Sequence, residues 1–274
     1  QRSPHCHYHR QTSRRRPLTM LPRPCDSNAR NAILVACGSF NPPTNGHLRM
    51  MVVARELLQA TPSPFVVVEG IFSPVSSTYA HKPLESDEHR MAMLDKATES
   101  SDWLRPDDWE QRRGAWTETI EVLRHHRKAA RIRWNDPDLA CFFVCGDDLV
   151  ETFFRSHDDG RPLWSPADVA EIVEDFGIIV NIRARFARRK SGESNPIGSL
   201  QRLGLTLDKC FMVTDRACPH RMSSTLMREA VADGRSIQYC LPDGVVRYIS
   251  AHCLYMSKSV KKFDKGTSGG ARMN

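Results

Sequence analysis

The chain has no C-x-x-C pair, and no apolar run approaches the roughly 20 residues needed to cross a bilayer. It has neither G-x-G-x-x-G nor G-x-x-x-x-G-K-[ST], so an ordinary dinucleotide fingerprint and a P-loop are both excluded. Internal repeats are missing, which removes solenoids and propellers. The nine cysteines are an odd number. Cys37, Cys141, Cys145 and Cys210 lie in apolar, strand-like runs and read as small core residues in a reducing compartment. A zinc site and a membrane partner are not expected. What remains is a soluble protein of 274 residues, 40% hydrophobic and 26% charged, enough for one large domain.

Acids are scarce at one end only. Residues 1–30 hold seven arginines and one acid, Asp26, so they carry +6 of the net +7. The rest is close to neutral, so the basic character belongs to the tail and says little about a nucleic-acid-binding fold; a nucleic-acid binder acting through that tail is an alternative reading from another class. Residues 1–31 lack periodicity and are expected to be a disordered, Arg-rich tail. The chain begins with Gln, and Met20 is an alternative start. The cluster His5-Cys6-His7-Tyr8-His9 is not expected to hold a metal. Residues 32–256 would form the folded domain, and 257–274 a second polar tail.

Along the domain, buried strands alternate with amphipathic helices. Strands are expected at Ile33–Cys37, Phe65–Pro74, Cys141–Cys145, 177–183 and Cys210–Val213. Helices are expected at 48–58, 88–97, 115–130 with Trp116, Ile120 and Leu123 on one face, 223–233 ending at Gly234, and 242–249 with Pro242 at N1. This order predicts an α/β fold, a Rossmann-like doubly wound parallel sheet with helices on both faces. Ligands then bind beyond the carboxyl ends of the strands. The loops at 38–47, 75–84 and 146–164 each follow a strand and should meet at that edge.

Gly38-Ser39-Phe40-Asn41-Pro42-Pro43-Thr44-Asn45-Gly46-His47 joins the first strand to the first helix. A Gly/Pro-rich loop brings backbone N–H groups close to a ligand, and the helix start adds partial positive charge. An ordinary α/β junction has the same outline, so the loop alone leaves both readings open. Met222-Ser223-Ser224-Thr225-Leu226-Met227-Arg228 starts a helix with three hydroxyls and a guanidinium one turn in. That is either a polyphosphate seat or a plain Ser/Thr N-cap with a solvated arginine.

Together these runs carry a resemblance. Thr44-Asn45-Gly46-His47 resembles the (H/T)-x-G-H signature of the nucleotidyltransferase superfamily, and Ser223-Ser224-Thr225…Arg228 its S-S-T-x-x-R motif. Within it, the chain is similar to the eukaryotic nicotinamide mononucleotide (NMN) adenylyltransferases over about residues 32–255. Trp116-Thr117-Glu118-Thr119…Arg124-His125-His126, Cys145-Gly146-Asp147-Asp148-Leu149, Leu163-Trp164 and Val180-Asn181-Ile182-Arg183 match further motifs.

The resemblance implies catalytic roles for His47 and Arg228. It implies ATP and phosphate contacts at Gly38, Ser39, Phe40, His47, Gly146, Asp148, Arg183, Ser223, Ser224, Thr225 and Arg228. Contacts to the mononucleotide would come from Tyr79, His81, Lys82, Trp116, Thr119, Leu163 and Trp164. In the family pattern a lysine holds the mononucleotide phosphate where this chain has His81, with Lys82 beside it. The implied partners are ATP and NMN or nicotinate mononucleotide, with Mg²⁺ accompanying ATP and no dedicated metal ligands. Nucleic acid is not an implied partner, and a homo-oligomer is left open. The alternative within the superfamily is a related nucleotidyltransferase with another phosphate acceptor. The family's long insertion after the R-H-H helix shrinks here to residues 127–139 and lacks a basic targeting block. The expected location is therefore the cytosol, with a nuclear or mitochondrial one as the alternative if the Arg-rich tail targets.

Overall fold

In a computed structural model, residues 29–60, 65–78, 83–182 and 196–257 are described. Both expected tails fall almost wholly outside that set, as do Tyr79, His81, Lys82 and Arg183.

Six parallel strands form one sheet in the order β3-β2-β1-β4-β5-β6. They are β1 (Arg30–Gly38), β2 (Phe65–Pro74), β3 (Leu104–Pro106), β4 (Ala140–Gly146), β5 (Ile178–Asn181) and β6 (Cys210–Val213). The helices are α1 (Asn45–Gln59), α2 (Asp87–Thr98), α3 (Trp109–Arg112), α4 (Thr119–Arg133), α5 (Asp147–Val150), α6 (Pro166–Ala170), α7 (Pro196–Gln201), α8 (Ser224–Ala232) and α9 (Asp243–Ala251). A π-helical stretch, Glu171–Phe176, continues α6.

The central strands carry unbroken apolar runs, 32–37 in β1 and 140–145 in β4, because both their faces are covered. On one face Ile33, Val35, Phe143 and Val180 pack against α4 and the Glu171–Phe176 stretch. On the other, Leu34, Ala36, Val144 and Ile179 pack against α1 through Met51, Ala54 and Leu58. A third cluster joins α2, α8 and α9 through Met93, Met227 and Ile249. The direction of winding reverses between β1 and β4, so their carboxyl ends open the crevice where such sheets take ligands.

Several expectations need correction. β1 starts at Arg30, inside the expected tail. The helix expected from Ala115 starts at Thr119, with Glu118 extended before it (φ −64°, ψ 142°). Hydrophobic spacing finds a helix face but not its first turn. Here Thr117 is buried in non-helical chain, while Trp116 is 56% exposed. Pro242 is the N-cap of α9, not its first residue. Gly234 does end α8, at φ +70°, with the Arg235 N–H reaching back to the Ala230 carbonyl at 2.7 Å. Cys141 and Cys145 are buried, whereas Cys37 and Cys210 are half-buried; all four are free thiols.

Candidate active site

A cavity of about 300 Å³ opens at the carboxyl ends of β1, β4 and β5. Gly38, Ser39, Phe40 and His47 line it from the first loop, and Gly146 and Asp148 from the end of β4. Ser223, Ser224, Thr225 and Arg228 close it from α8, and Pro83 and Leu84 border it. Loops far apart in sequence therefore meet at one edge.

His47 is the third residue of α1. The Thr44 backbone N–H donates to its Nδ1 at 2.9 Å, in the position a capping-box Glu or Gln side chain usually fills. A ring nitrogen that accepts carries no proton, so the neutral ring keeps its proton on Nε2. The ring is held edge-to-face against Phe40, with centroids 5.3 Å apart. Phe40 is buried with φ +44° and packs in the same way on Phe72.

The start of α8 is stitched to the first loop. Ser223 is the N-cap and accepts from the Leu226 N–H at 3.3 Å. Ser224 Oγ donates to the Pro42 carbonyl at 2.8 Å, and Arg228 Nη1 to the Asn41 carbonyl at 2.8 Å. Capping and cavity lining thus coexist at Ser223, and two edges of the crevice are fixed to each other.

Gly146 precedes α5, whose first turn holds buried Asp147 and exposed Asp148. Trp116, Thr119, Leu163 and Trp164 are not among the cavity's lining residues. Trp164 stands one relay away. Its Nε1–H donates to Thr152 Oγ1 at 2.9 Å, and that hydroxyl donates to the carbonyl of Leu149, a lining residue, at 2.6 Å. Leu163 is exposed, and Thr119 is half-buried at the start of α4.

The His125-His126 pair lies on α4. His125 stacks on Trp109 with centroids 4.0 Å apart. His126 is buried, and desolvation lowers its pKa to about 4. With Asp107 the pair forms the one grouping of three metal-type ligands among the described residues. The Asp107 carboxylate is already taken by Arg105 Nη1 at 2.7 Å and the Trp109 N–H at 3.0 Å. The grouping is not part of the cavity lining, where Asp148 offers an exposed carboxylate.

Sequence reasoning missed His220, which lines the cavity from the loop after β6. A Cβ placed on Gly46 would lie 2.5 Å from His220 Cε1, so the imidazole occupies the space that a side chain at 46 would need. That loop is pinned by Asp215. Its carboxylate pairs with Arg49 through two bonds of 2.6 and 2.9 Å and accepts from the Cys218 N–H at 2.9 Å. The Arg49 hydrogen bond holds the Asp215 carboxyl below its ordinary range. The available signal was position: the loop follows a strand at the same edge as the others.

Residues 35–230 match the cytidylyltransferase-like family model. A nicotinamide/nicotinic acid mononucleotide adenylyltransferase from Caenorhabditis elegans is 42% identical over 81% of this chain and 96% of its own. The chain belongs to this adenylyltransferase family. The bovine member is 32% identical over 86% of this chain and 93% of its own. Among solved structures, a nicotinic acid mononucleotide adenylyltransferase from Plasmodium falciparum complexed with NaAD superposes with a TM-score of 0.55. It covers 82% of this chain and 97% of that one at 18% identity, which shows the adenylyltransferase fold. The chain is accordingly a nucleotide-binding enzyme of the adenylyltransferase type.

Proposed function

We propose that the protein joins ATP to nicotinamide or nicotinate mononucleotide, giving the dinucleotide and pyrophosphate. The observation that carries this is the convergence of His47, the Gly38-Ser39-Phe40 backbone and the start of α8 with Arg228 on one cavity. A mononucleotide phosphate oxygen attacks the α-phosphorus of ATP. The new P–O bond forms as the bond from α-phosphorus to the bridging oxygen breaks, and pyrophosphate leaves with that electron pair. The attacking phosphate is already anionic, so no general base is needed.

Catalysis is then positioning and charge stabilisation. His47 Nε2–H donates to the α-phosphate as its charge shifts. The α8 N-terminus and Arg228 receive the β- and γ-phosphates. The family resemblance assigns the pyridine ring to Trp164, which is anchored through Thr152, and to Trp116, which is exposed. By the family resemblance Tyr79 and either Lys82 or His81 would serve the mononucleotide, and Arg183 the nucleotide of ATP. Asp148 is the kind of hard oxygen donor that fits Mg²⁺, which typically takes one or two carboxylates plus substrate phosphates. When bound with ATP, the ion would neutralise phosphate charge. Incubating the protein with ATP, Mg²⁺ and either mononucleotide should yield NAD or its nicotinate counterpart, with one pyrophosphate per dinucleotide. No product with either acceptor would overturn the reading.

A further inference from the structure

Arg90 on α2 is wholly buried and does not line the cavity, so it cannot touch a substrate there. Its guanidinium is nevertheless committed to the loops that form the site. Nη1 donates to the Ser39 carbonyl at 2.9 Å, and Nε to the Glu85 carbonyl at 3.1 Å. Nη2 donates to the Val75 carbonyl and to Asp87, which neutralises the charge. Asp87 also accepts from the Ser77 N–H at 2.7 Å. One planar fork thus fixes carbonyls from two strand-end loops, as an ammonium could not.

The Ser39 bond has a consequence for the neighbouring donor. The carbonyl and N–H of a trans peptide point in opposite directions. Arg90 claims the Ser39 carbonyl, so the Phe40 N–H of the same peptide is turned away from Arg90. Phe40 also holds φ +44°, a left-handed conformation unfavourable for a residue other than glycine. Such a conformation persists where its surroundings over-determine it. Here Arg90 grips the carbonyl before Phe40, and Arg228 grips the Asn41 carbonyl after it.

We propose that Arg90 is a positioning residue for adenylyl transfer, holding the Ser39–Phe40 peptide so that the Phe40 N–H is presented to the phosphates of the nucleotide. This rests on the adenylyltransferase reading above. Arg90→Lys keeps a cation on α2 but cannot span the carbonyls. We expect a cooperative melt, a kcat at least about tenfold lower and nearly unchanged KM values, since outright loss of such a donor costs about 10²–10³ in rate. In Arg90→Ala, millimolar guanidinium should restore part of kcat while methylammonium should not, a distinction that a purely structural role would not make. A folded Arg90→Lys enzyme with kcat within twofold of wild type would overturn the proposal. So would a change confined to KM.

If both variants fail to fold, the wild-type protein still decides. With its phenylalanines isotopically labelled, the Phe40 amide proton should move downfield in NMR spectra on binding ATP with Mg²⁺. An unmoved Phe40 amide at saturation would overturn the assignment. Failure of the adenylyltransferase reading itself looks different, because the wild type would then make no dinucleotide.

Discussion

His47 sits at a helix start, where its backbone amide and its ring serve different ends. The Thr44 N–H on Nδ1 sets the tautomer, and a doubly protonated ring would lose that bond. His47→Ala should keep the fold and lower kcat by about 10²–10³ with little change in KM, the usual cost of one preorganised donor to a transition state. Steady-state kinetics with a thermal melt would test this, and near-normal turnover removes His47 from the mechanism. Gly46 is a glycine for a reason of contact. Any Cβ there would meet the His220 ring at 2.5 Å. Gly46→Ala should therefore displace His220 and lower kcat/KM for ATP by up to about 10², the scale of a 1 Å misplacement. Adding His220→Ala should recover activity in part, giving a clearly non-additive cycle. Additive losses would mean that the two positions do not share the space. Neither His220 nor Arg90 was legible in the sequence, because each acts through a contact with residues far along the chain.

At the scale of elements, long periodic segments were readable and short ones were not. β1, β2, β4, α1 and α2 follow from apolar runs and helical spacing over nine or more residues, or seven for β4. β3 has three residues and α3 four, too short for a period to show. Buried ionisable groups stand on a short element and on a long one. Glu110 on α3 is buried, and desolvation raises its pKa to about 7 from 4.5, although Ser73 Oγ donates to it. His126 on α4 is lowered to about 4 from 6.5, again by desolvation. Their signs oppose. The raised carboxyl stabilises the fold fully below pH 4.5, and that stability is lost as pH rises toward 7. The lowered imidazole stabilises it above pH 6.5, and that stability is lost as pH falls toward 4. Each effect spans about 3 kcal/mol. Urea melts across this range should show that Glu110→Gln makes stability rise more steeply with pH than in wild type, while His126→Gln makes it fall. Parallel profiles for all three proteins would show that neither group titrates as described.

At the scale of the whole molecule, the crevice follows from topology. Strand order reverses between β1 and β4, and every loop that lines the cavity leaves a carboxyl end of the sheet or the start of α8. That much was legible, because alternating strands and helices permit few arrangements. The charge of the molecule is distributed quite differently from its site. Removing residues 1–28 deletes six arginines and Asp26 and takes the net charge from +7 to +2. The motifs that carry the adenylyltransferase resemblance all lie between Gly38 and Arg228, outside that segment. Truncation should therefore leave kcat and both KM values within twofold of the full chain. Any affinity for duplex DNA should behave oppositely. Up to six phosphate contacts would make it fall steeply with salt, with a log–log slope of about −0.9 per contact, and truncation should abolish it. Anisotropy titrations at about 50 and 200 mM salt, run beside the dinucleotide assay, separate the two properties. Duplex binding that survives truncation would place a basic surface on the folded domain. Loss of dinucleotide synthesis would place the arginine-rich segment within the catalytic machinery, against the separation that the charge distribution implies.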